Sequence, residues 1–159
     1  MPEELADLTD EMKASIGKSG PTGTLEVTTT GIRMFARAVG YTNPIYYDEE
    51  HAKSKGHRAL PAPPGYHGTP IYDPSATLTA GPRQEYDMPF TRILNGGSEV
   101  EEIETIYAGD VLESVTTLAD LQLRRGRVGQ MLIRSSETVY TRKSDGAPVA
   151  KTRGTLISY

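Results

Sequence analysis

Proline is concentrated in one part of this sequence and limits what that part can form. Seven of the eleven prolines lie between residues 61 and 89, at positions 61, 63, 64, 70, 74, 82 and 89. Proline has no backbone N–H and clashes with the preceding helical turn, so any helix here is limited to fragments. We interpret residues 61–90 as an irregular lid or wall segment, because a long irregular stretch in a compact domain is usually functional.

The part of the chain before the prolines has helical periodicity. Residues 3–16 are predicted to form a helix, 24–29 a short strand and 48–55 a short polar helix. A further helix begins after Thr30 as its N-cap and ends at Gly40. Its buried stripe follows the spacing i, i+3, i+4 and i+7, at Ile32, Phe35, Ala36 and Val39.

The part after the prolines has β character. Strands are predicted over residues 98–107, 111–123, 130–142 and 148–159, with a turn or bulge at 93–97. An Asp-Gly pair at positions 145 and 146 is a hairpin signal between the last two strands. We predict an antiparallel meander of four strands. Because the strands are segregated from the helices, the fold class is α+β, and 159 residues suit a single domain over residues 1–159.

Composition narrows the classes of function. The net charge of −4 argues against nucleic acid or an anionic membrane as the main partner. The sequence has no apolar run of transmembrane length and no secretory signal at its start, so we expect a cytoplasmic protein. Cysteine is absent, which excludes disulfides and thiolate ligands. The three histidines, His51, His57 and His67, do not have metal-ligand spacing, and no metal site is expected.

Several motifs occur in the order typical of one family. They are Ala38-Val39-Gly40-x-x-Asn43-Pro44-Ile45, Ala62-Pro63-Pro64, Leu94-Asn95-Gly96-Gly97-Ser98-Glu99, the turn Gly109-Asp110, and the ending Val139-Tyr140-Thr141 with Asp145-Gly146 and Val149-Ala150. Together they resemble the MaoC-like dehydratases, which include the (R)-specific enoyl-CoA hydratases, and in particular their N-terminal, non-catalytic-type domains. The resemblance implies a hot-dog fold, an antiparallel sheet wrapped round a central helix that is here shortened or irregular.

The same resemblance shows what this chain lacks. Catalytic members carry a loop Gly-Asp-x-Asn-Pro-x-His, whose Asp and His activate water. At those two positions this chain has Tyr41 and Tyr46, and only Asn43 matches. A phenol with a pKa near 10 is a poor general base at neutral pH. The family's glycine N–H, which polarises the thioester carbonyl, aligns with Pro63-Pro64, and proline has no N–H.

The resemblance therefore implies a hot-dog subunit of an enoyl-CoA hydratase or dehydratase in lipid metabolism. This chain would shape the acyl-CoA site, with room for a bulky acyl group, while a partner chain supplies the Asp/His pair. Two alternatives stay open: a self-sufficient homodimer with a relocated site near His67 and Tyr46, or a non-enzymatic acyl-thioester binding module. The subunits would form a homodimer or a heteromer, and no cofactor is expected beyond the coenzyme A of the substrate.

For catalysis, the sequence singles out only Tyr46 and His67, and it shows no carboxylate partner for His67. The candidates for substrate binding are Tyr41, Asn43, Tyr46, Arg92, Asn95, Gly96 and Gly97. Each has a structural alternative: the tyrosines could pack on the helix, Asn43 could fix the loop, and the stretch from Arg92 to Gly97 could be a strand bulge.

Three further groups of polar residues are open to two readings. Arg124, Arg125 and Arg127 would meet coenzyme A phosphates or form a charged hairpin tip. Strand alternation puts Glu102 and Glu104 on one face and Glu99 and Glu101 on the other, as a solvated edge or partner interface rather than a metal site. His51 and His57 are expected to be solvated.

Overall fold

The computed structural model describes residues 5–75 and 81–159. The helices are α1 (Asp10–Ser15), α2 (Thr29–Ala38) and α3 (Glu49–Ser54), with a 3₁₀ turn at Pro44–Tyr46. The strands are β1 (Gly23–Glu26), β2 (Thr69–Pro70), β3 (Ile93–Glu102), β4 (Val111–Gly126), β5 (Gly129–Arg142) and β6 (Pro148–Ser158). No helix in these two ranges combines the length and apolar character needed to cross a bilayer.

Helix α2 starts earlier than the sequence pattern predicts. The Thr28 hydroxyl, rather than that of Thr30, accepts the N–H of Gly31 at 3.0 Å and caps the helix. Ile32 and Ala36 are fully buried, as the periodicity predicts, but Val39, predicted in the same stripe, is 50 % exposed at the end of the helix. Gly40, at φ +78°, follows the last turn, where a left-handed conformation favours glycine.

Two predicted element boundaries were wrong. The first helix was predicted over residues 3–16, but within the described residues it spans only Asp10–Ser15, because Thr9 caps it through the N–H of Met12. Residues 1–4 of that prediction lie outside the described residues. The third strand was predicted over 98–107, but β3 runs from Ile93 to Glu102, and the Asn95/Gly97 bulge lies inside it.

The strands form one antiparallel sheet in the order β2-β1-β4-β5-β6-β3. The predicted four-strand meander is therefore wrong: β4, β5 and β6 form hairpins, but β3 pairs with β6 at the far side of the sheet. The link between β3 and β4 makes backbone hydrogen bonds to residues 60–62. The Ala62 N–H donates to Ile106 O, and the Ala108 N–H donates to Leu60 O. The predicted bulge in the long fourth strand is confirmed between Leu118 and Asp120.

The proline-rich segment packs against the sheet as a wall. Its described residues, 61–75 and 81–90, contain no helix, while the prediction for 76–80 lies outside the described residues. Pro63, Tyr66, Tyr86 and Phe90 are buried. Tyr66 joins the hydrophobic cluster around α2 and the start of β4, and Tyr86 and Phe90 join a second cluster with α1 and β5. The described part of the segment thus closes the core at two places and contains no central helix.

A buried carboxylate ties three separate segments together. Asp110, 7 % exposed, accepts the N–H of Tyr107 at 2.9 Å and a guanidinium N–H of Arg58 at 2.5 Å. The Nε of Arg142 lies 3.6 Å from the same carboxylate, and this guanidinium also bonds Glu104 and Asp145. The link after β3, the segment after α3 and the β5–β6 hairpin therefore converge on one side chain.

We expect Asp110→Ala to lower the free energy of unfolding by about 3 kcal/mol, because it leaves the partly buried Arg142 without its central acid and the Tyr107 N–H without an acceptor. Urea unfolding of the purified chain measures this change. The exposed Asp87→Ala is the matched control and should change stability by less than about 0.5 kcal/mol. Equal effects of the two substitutions would contradict the role given to Asp110.

Candidate functional site

The loop after α2 is fixed by its own backbone and by Asn43. The Asn43 side chain accepts the N–H of Ile45 at 3.1 Å and caps the 3₁₀ turn. The N–H of Tyr41 returns to Ala36 O, and Asp48 caps α3 through the N–H of His51 at 3.1 Å. These bonds bring the rings of Tyr41 and Tyr46 to 5.8 Å between centroids. Asn43 thus holds the loop that presents the two tyrosines.

Tyr46 lines a cavity of about 330 Å³ that opens beside the end of β3. The other lining residues are Ile45, His57, Pro61, Ala62, Pro64, Glu102, Ile103, Glu104, Thr105 and Ile106. Burial, and then the neighbouring Tyr41, raises the pKa of the Tyr46 phenol above its usual value. At neutral pH, Tyr46 can therefore donate a hydrogen bond but cannot remove a proton from water.

The wall of this cavity offers no free backbone N–H between Ala62 and Gly65. The N–H of Ala62 donates to Ile106 O at 2.7 Å, and Pro63 and Pro64 have none. The N–H of Gly65 is bound by Glu102 Oε1 at 3.0 Å. This wall therefore lacks the open donors that would stabilise negative charge on a thioester oxygen.

The structure gives His67 a carboxylate partner that the sequence did not reveal. His67, 8 % exposed, has its Nε2 3.2 Å from Glu102 Oε1 and stacks on Tyr140 with 4.5 Å between ring centroids. Because a carboxylate oxygen only accepts, Nε2 carries the proton in this pair. Glu102 also lines the cavity beside Tyr46. In the sequence, the only feature that pointed to Glu102 was strand alternation, which places its side chain on the opposite face of the strand from that of Glu99.

The remaining substrate-binding candidates lie at the other end of β3. Asn95 Oδ1 accepts the N–H of Gly97 at 3.0 Å and stabilises the bulge, and the guanidinium of Arg92 lies 6.0 Å from the ring centroid of Tyr159. Seven residues of strand, about 20 Å, separate Asn95 from Glu102. The structure therefore divides the sequence-based candidates into two groups, with Tyr41, Asn43 and Tyr46 in one and Arg92 and Asn95–Gly97 in the other.

Other polar candidates have local roles. The prediction that His57 is solvated holds only in part, because the side chain is partly buried, its Nδ1 lies 3.2 Å from the Tyr107 hydroxyl, and it lines the cavity. His51 stays on the surface of α3, where its carbonyl accepts the Ser54 hydroxyl. Arg124 donates to Gln122 near the exposed tip of the β4–β5 hairpin. Among residues 5–75 and 81–159, no cluster of three or more acids and histidines is suited to hold a metal ion.

A second and larger cavity lies near the other end of the sheet. Its volume is about 670 Å³, and its lining residues are Ser15, Pro21, Gly81, Pro82, Arg83, Gln84, Tyr86, Leu118, Arg134 and Ser136. Arg134 stands between Leu121 of β4 and Leu156 of β6 in the strand register. This cavity lies against β4 and β5, beside the segment expected to hold the central helix.

Comparison with known proteins identifies the class. A family model described as "FAS1-like, dehydratase domain region" matches residues 14–152, and the chain belongs to this family. Its fold is the hot dog, as the MaoC-like resemblance predicts.

Individual proteins support the same assignment. A UPF0336 protein of Thermobifida fusca (strain YX) is 33 % identical over 116 residues, which cover 73 % of this chain and 74 % of that protein. The ChsH1-ChsH2 complex of Mycobacterium tuberculosis is similar in structure, with a TM-score of 0.69, 18 % identity, and coverage of 89 % of this chain and 84 % of the matched chain. The HadBC (3R-hydroxyacyl-ACP dehydratase) complex from the same organism gives a TM-score of 0.65, 20 % identity, and coverage of 90 % and 96 %.

We expect Tyr46 to ionise above the usual tyrosine pKa near 10, because burial favours the neutral phenol. The unfolded chain ionises this group at the usual value, so the contribution to stability is fully present below that value and is lost as the pH rises through the higher pKa of the folded chain. An ultraviolet difference titration of the wild-type protein against Tyr46→Phe isolates the transition. A Tyr46 transition at or below the usual value would contradict the burial argument.

Proposed function

We propose that this chain is one hot-dog subunit of an enoyl-CoA hydratase or dehydratase assembly. It shapes the acyl side of the site, and a partner chain carrying the Asp/His pair performs the chemistry. In the hydration direction, that pair adds the oxygen of water to C3 of a 2-enoyl thioester and delivers a proton to C2. The reverse direction releases water from the 3-hydroxyacyl thioester.

One observation carries this proposal: the chain keeps the loop of the site but not its reactive groups. Asn43 holds the loop as described, while Tyr41 and Tyr46 occupy the two acid–base positions. The protonated phenol of Tyr46 is unsuited to activate water. Between Ala62 and Gly65, every backbone N–H is bonded or absent, so the polarising donor is lacking as well. The missing acid–base groups and the missing backbone N–H donor both concern the cavity beside Tyr46.

The heteromeric relatives support a partner. Two of the similar structures are complexes of different chains, one of them described as a 3R-hydroxyacyl-ACP dehydratase. The cavity beside Tyr46 is bounded by Glu102, Ile103 and Glu104, at the end of the outermost strand. A second chain next to that strand would reach the cavity and could supply the missing groups.

The larger cavity supports a role in accommodating the acyl group. In the described residues of the proline-rich segment, no helix covers this part of the sheet. A volume of about 670 Å³ lies within the range of small-molecule pockets. We therefore propose that an extended or bulky acyl group, rather than a short one, occupies this side of the assembly.

We expect the purified chain alone to hydrate crotonyl-CoA and a long-chain 2-enoyl-CoA at least about a hundredfold more slowly than its complex with a partner, because acid–base catalysis is missing. The partner to use is a hot-dog protein that carries Gly-Asp-x-Asn-Pro-x-His and is encoded beside this chain. Loss of the thioester-conjugated double bond, followed by ultraviolet absorbance, measures the rate.

The control is a complex in which the partner's loop Asp is replaced by Asn, which should abolish the gain while the complex still forms. Robust hydration by this chain alone would overturn the subunit proposal. If neither arrangement is active but acyl-CoA binding persists, the chain is an acyl-thioester binding module.

A second candidate function is favoured by the pairing of His67 with Glu102. A histidine hydrogen-bonded to a carboxylate is a recognised acid–base arrangement, and Glu102 lines the same cavity as Tyr46. In this arrangement a homodimer would be self-sufficient, with His67 as the acid–base group and Glu102 as the residue that orients it.

If the chain alone is active, we expect His67→Gln to lower kcat by about a hundredfold or more. Glu102→Gln should also lower kcat, though by less than His67→Gln does, because it removes the carboxylate that orients the imidazole. His51→Gln, at a surface histidine, is the matched control and should keep the wild-type rate. Thermal melting verifies that each variant is folded, and an unchanged kcat in folded His67→Gln would exclude this candidate.

A further inference from the structure

Strand β5 carries a positive charge on the face of the sheet that packs on the core. Residues two apart on a strand share a face, and so do residues directly opposite each other in the register. Arg134 therefore lies on the same face as Leu132, two positions before it, and Leu121, which stands opposite it on β4. Leu132 is fully buried and Leu121 is 3 % exposed, and both belong to the hydrophobic cluster around α1. Arg134 thus places a cation beside an apolar part of the core.

The guanidinium of Arg134 has no acid to pair with. In the part of the chain that the structure describes, no group forms a hydrogen bond or an ion pair with it. The acids nearest to it along these strands, Glu137 on β5 and Asp120 on β4, belong to the opposite face, since Asp120 stands opposite Ser135. Arg134 is partly buried, and an unpaired charge loses solvation there without gaining a partner. An anion from outside the chain would supply that partner.

Arg134 lines the cavity of about 670 Å³, and the rest of the lining suits an anion with an apolar body. Among the described lining residues, the two charged side chains are Arg83 and Arg134, and none is acidic. Pro82, Leu118 and Tyr86 supply apolar surface, and the last two are buried in the core. Pockets for small molecules combine apolar walls with a few placed polar groups, and here the placed charge is positive.

The position of Arg134 along β5 indicates which end of a ligand it would meet. Tyr140 lies on the same face, six positions further along the strand, and packs against the same hydrophobic cluster as Tyr46. Six strand residues span about 20 Å, so Arg134 lies far from the cavity beside Tyr46. A ligand whose thioester is held near Tyr46 and whose chain reaches Arg134 is long, and its charge is at the end remote from the thioester.

We infer that Arg134 binds a carboxylate at the far end of the acyl group, so the substrate class is a long acyl thioester that ends in a carboxylate. This inference rests on the proposed function, in which the cavity accommodates the acyl group. The guanidinium fork matches a carboxylate with two parallel hydrogen bonds, and apolar surroundings strengthen the attraction. The phosphates of coenzyme A are anions too, but apolar walls suit a hydrocarbon chain better than the polar arm of the coenzyme.

The test measures binding of a free carboxylate to the purified chain, since this chain alone lines the cavity. Decanoate is the probe, and decan-1-ol, with the same chain and no charge, is its matched control. We expect decanoate to bind at least about tenfold more tightly than decan-1-ol, because only the carboxylate pairs with the guanidinium. Isothermal titration calorimetry measures both dissociation constants. Free coenzyme A is the third probe, and its affinity should be the same for the wild type and Arg134→Gln.

Variants of Arg134 locate the effect. Arg134→Gln should weaken decanoate binding about tenfold and leave decan-1-ol binding unchanged, while Arg134→Lys should restore part of the loss because it keeps the charge without the fork. Arg127→Gln, at the exposed turn between β4 and β5, is the matched control and should bind decanoate as the wild type does. Circular dichroism verifies that each variant is folded.

A second measurement needs no ligand. Because Arg134 is an unpaired charge on the core face, Arg134→Met should raise the midpoint of urea unfolding, as an apolar side chain of similar length is easier to bury. A purely structural arginine would give the opposite result. A lower midpoint in Arg134→Met would therefore overturn the inference.

Three binding results would also overturn it. They are an absence of decanoate binding to the wild type, equal decanoate affinities of the wild type and Arg134→Gln, and binding of coenzyme A that depends on Arg134, which would assign the guanidinium to a phosphate. All of these measurements use one chain without a partner and without turnover. Their outcome is therefore distinct from that of the hydration assay, which decides whether the chain is a subunit of the enzyme.

Discussion

The carboxylate of Asp110 fixes the connection from β3 to β4, two consecutive strands that do not pair with each other. Between β3 and β4 the chain crosses from one side of the sheet to the other, and Asp110 holds the end of that crossing through Tyr107, Arg58 and Arg142. Since breaking a buried ionic contact costs several kcal/mol, this junction is costly to rearrange. It sends β3 to the edge beyond β6 and puts Glu102, the last residue of β3, beside the loop that follows α2.

The candidate site follows from that placement. Glu102 reaches back to the proline-rich wall, where one of its oxygens is bound by the N–H of Gly65 and by His67. The cavity beside Tyr46 therefore has walls from three parts of the chain and an opening at the unpaired edge. Its groups are the protonated phenol of Tyr46, the carboxylate of Glu102, and prolines without N–H donors.

Local patterns predicted the parts of the fold that depend on nearby residues. The buried stripe of α2, the turn at Gly40, the cap at Asp48 and the bulge near Leu118 all rest on interactions within a few positions. The α1 boundary failed because Thr9 offered a better cap further along the chain. The strand order failed because β3 pairs with β6, some fifty residues later, and no local signal encodes so distant a choice of neighbour.

The sequence by itself determined the family resemblance, the α+β class, and the loop after α2 that carries Tyr41, Asn43 and Tyr46, because these depend on residue identity and short spacings. Only the tertiary structure decided that Glu102 meets His67, that the N–H of Gly65 is already bonded, and that Glu99 and Glu101 of β3 stand opposite Arg153 and Lys151 of β6. Each of these joins residues far apart in sequence, and sheet register, which the whole core fixes, brings them together.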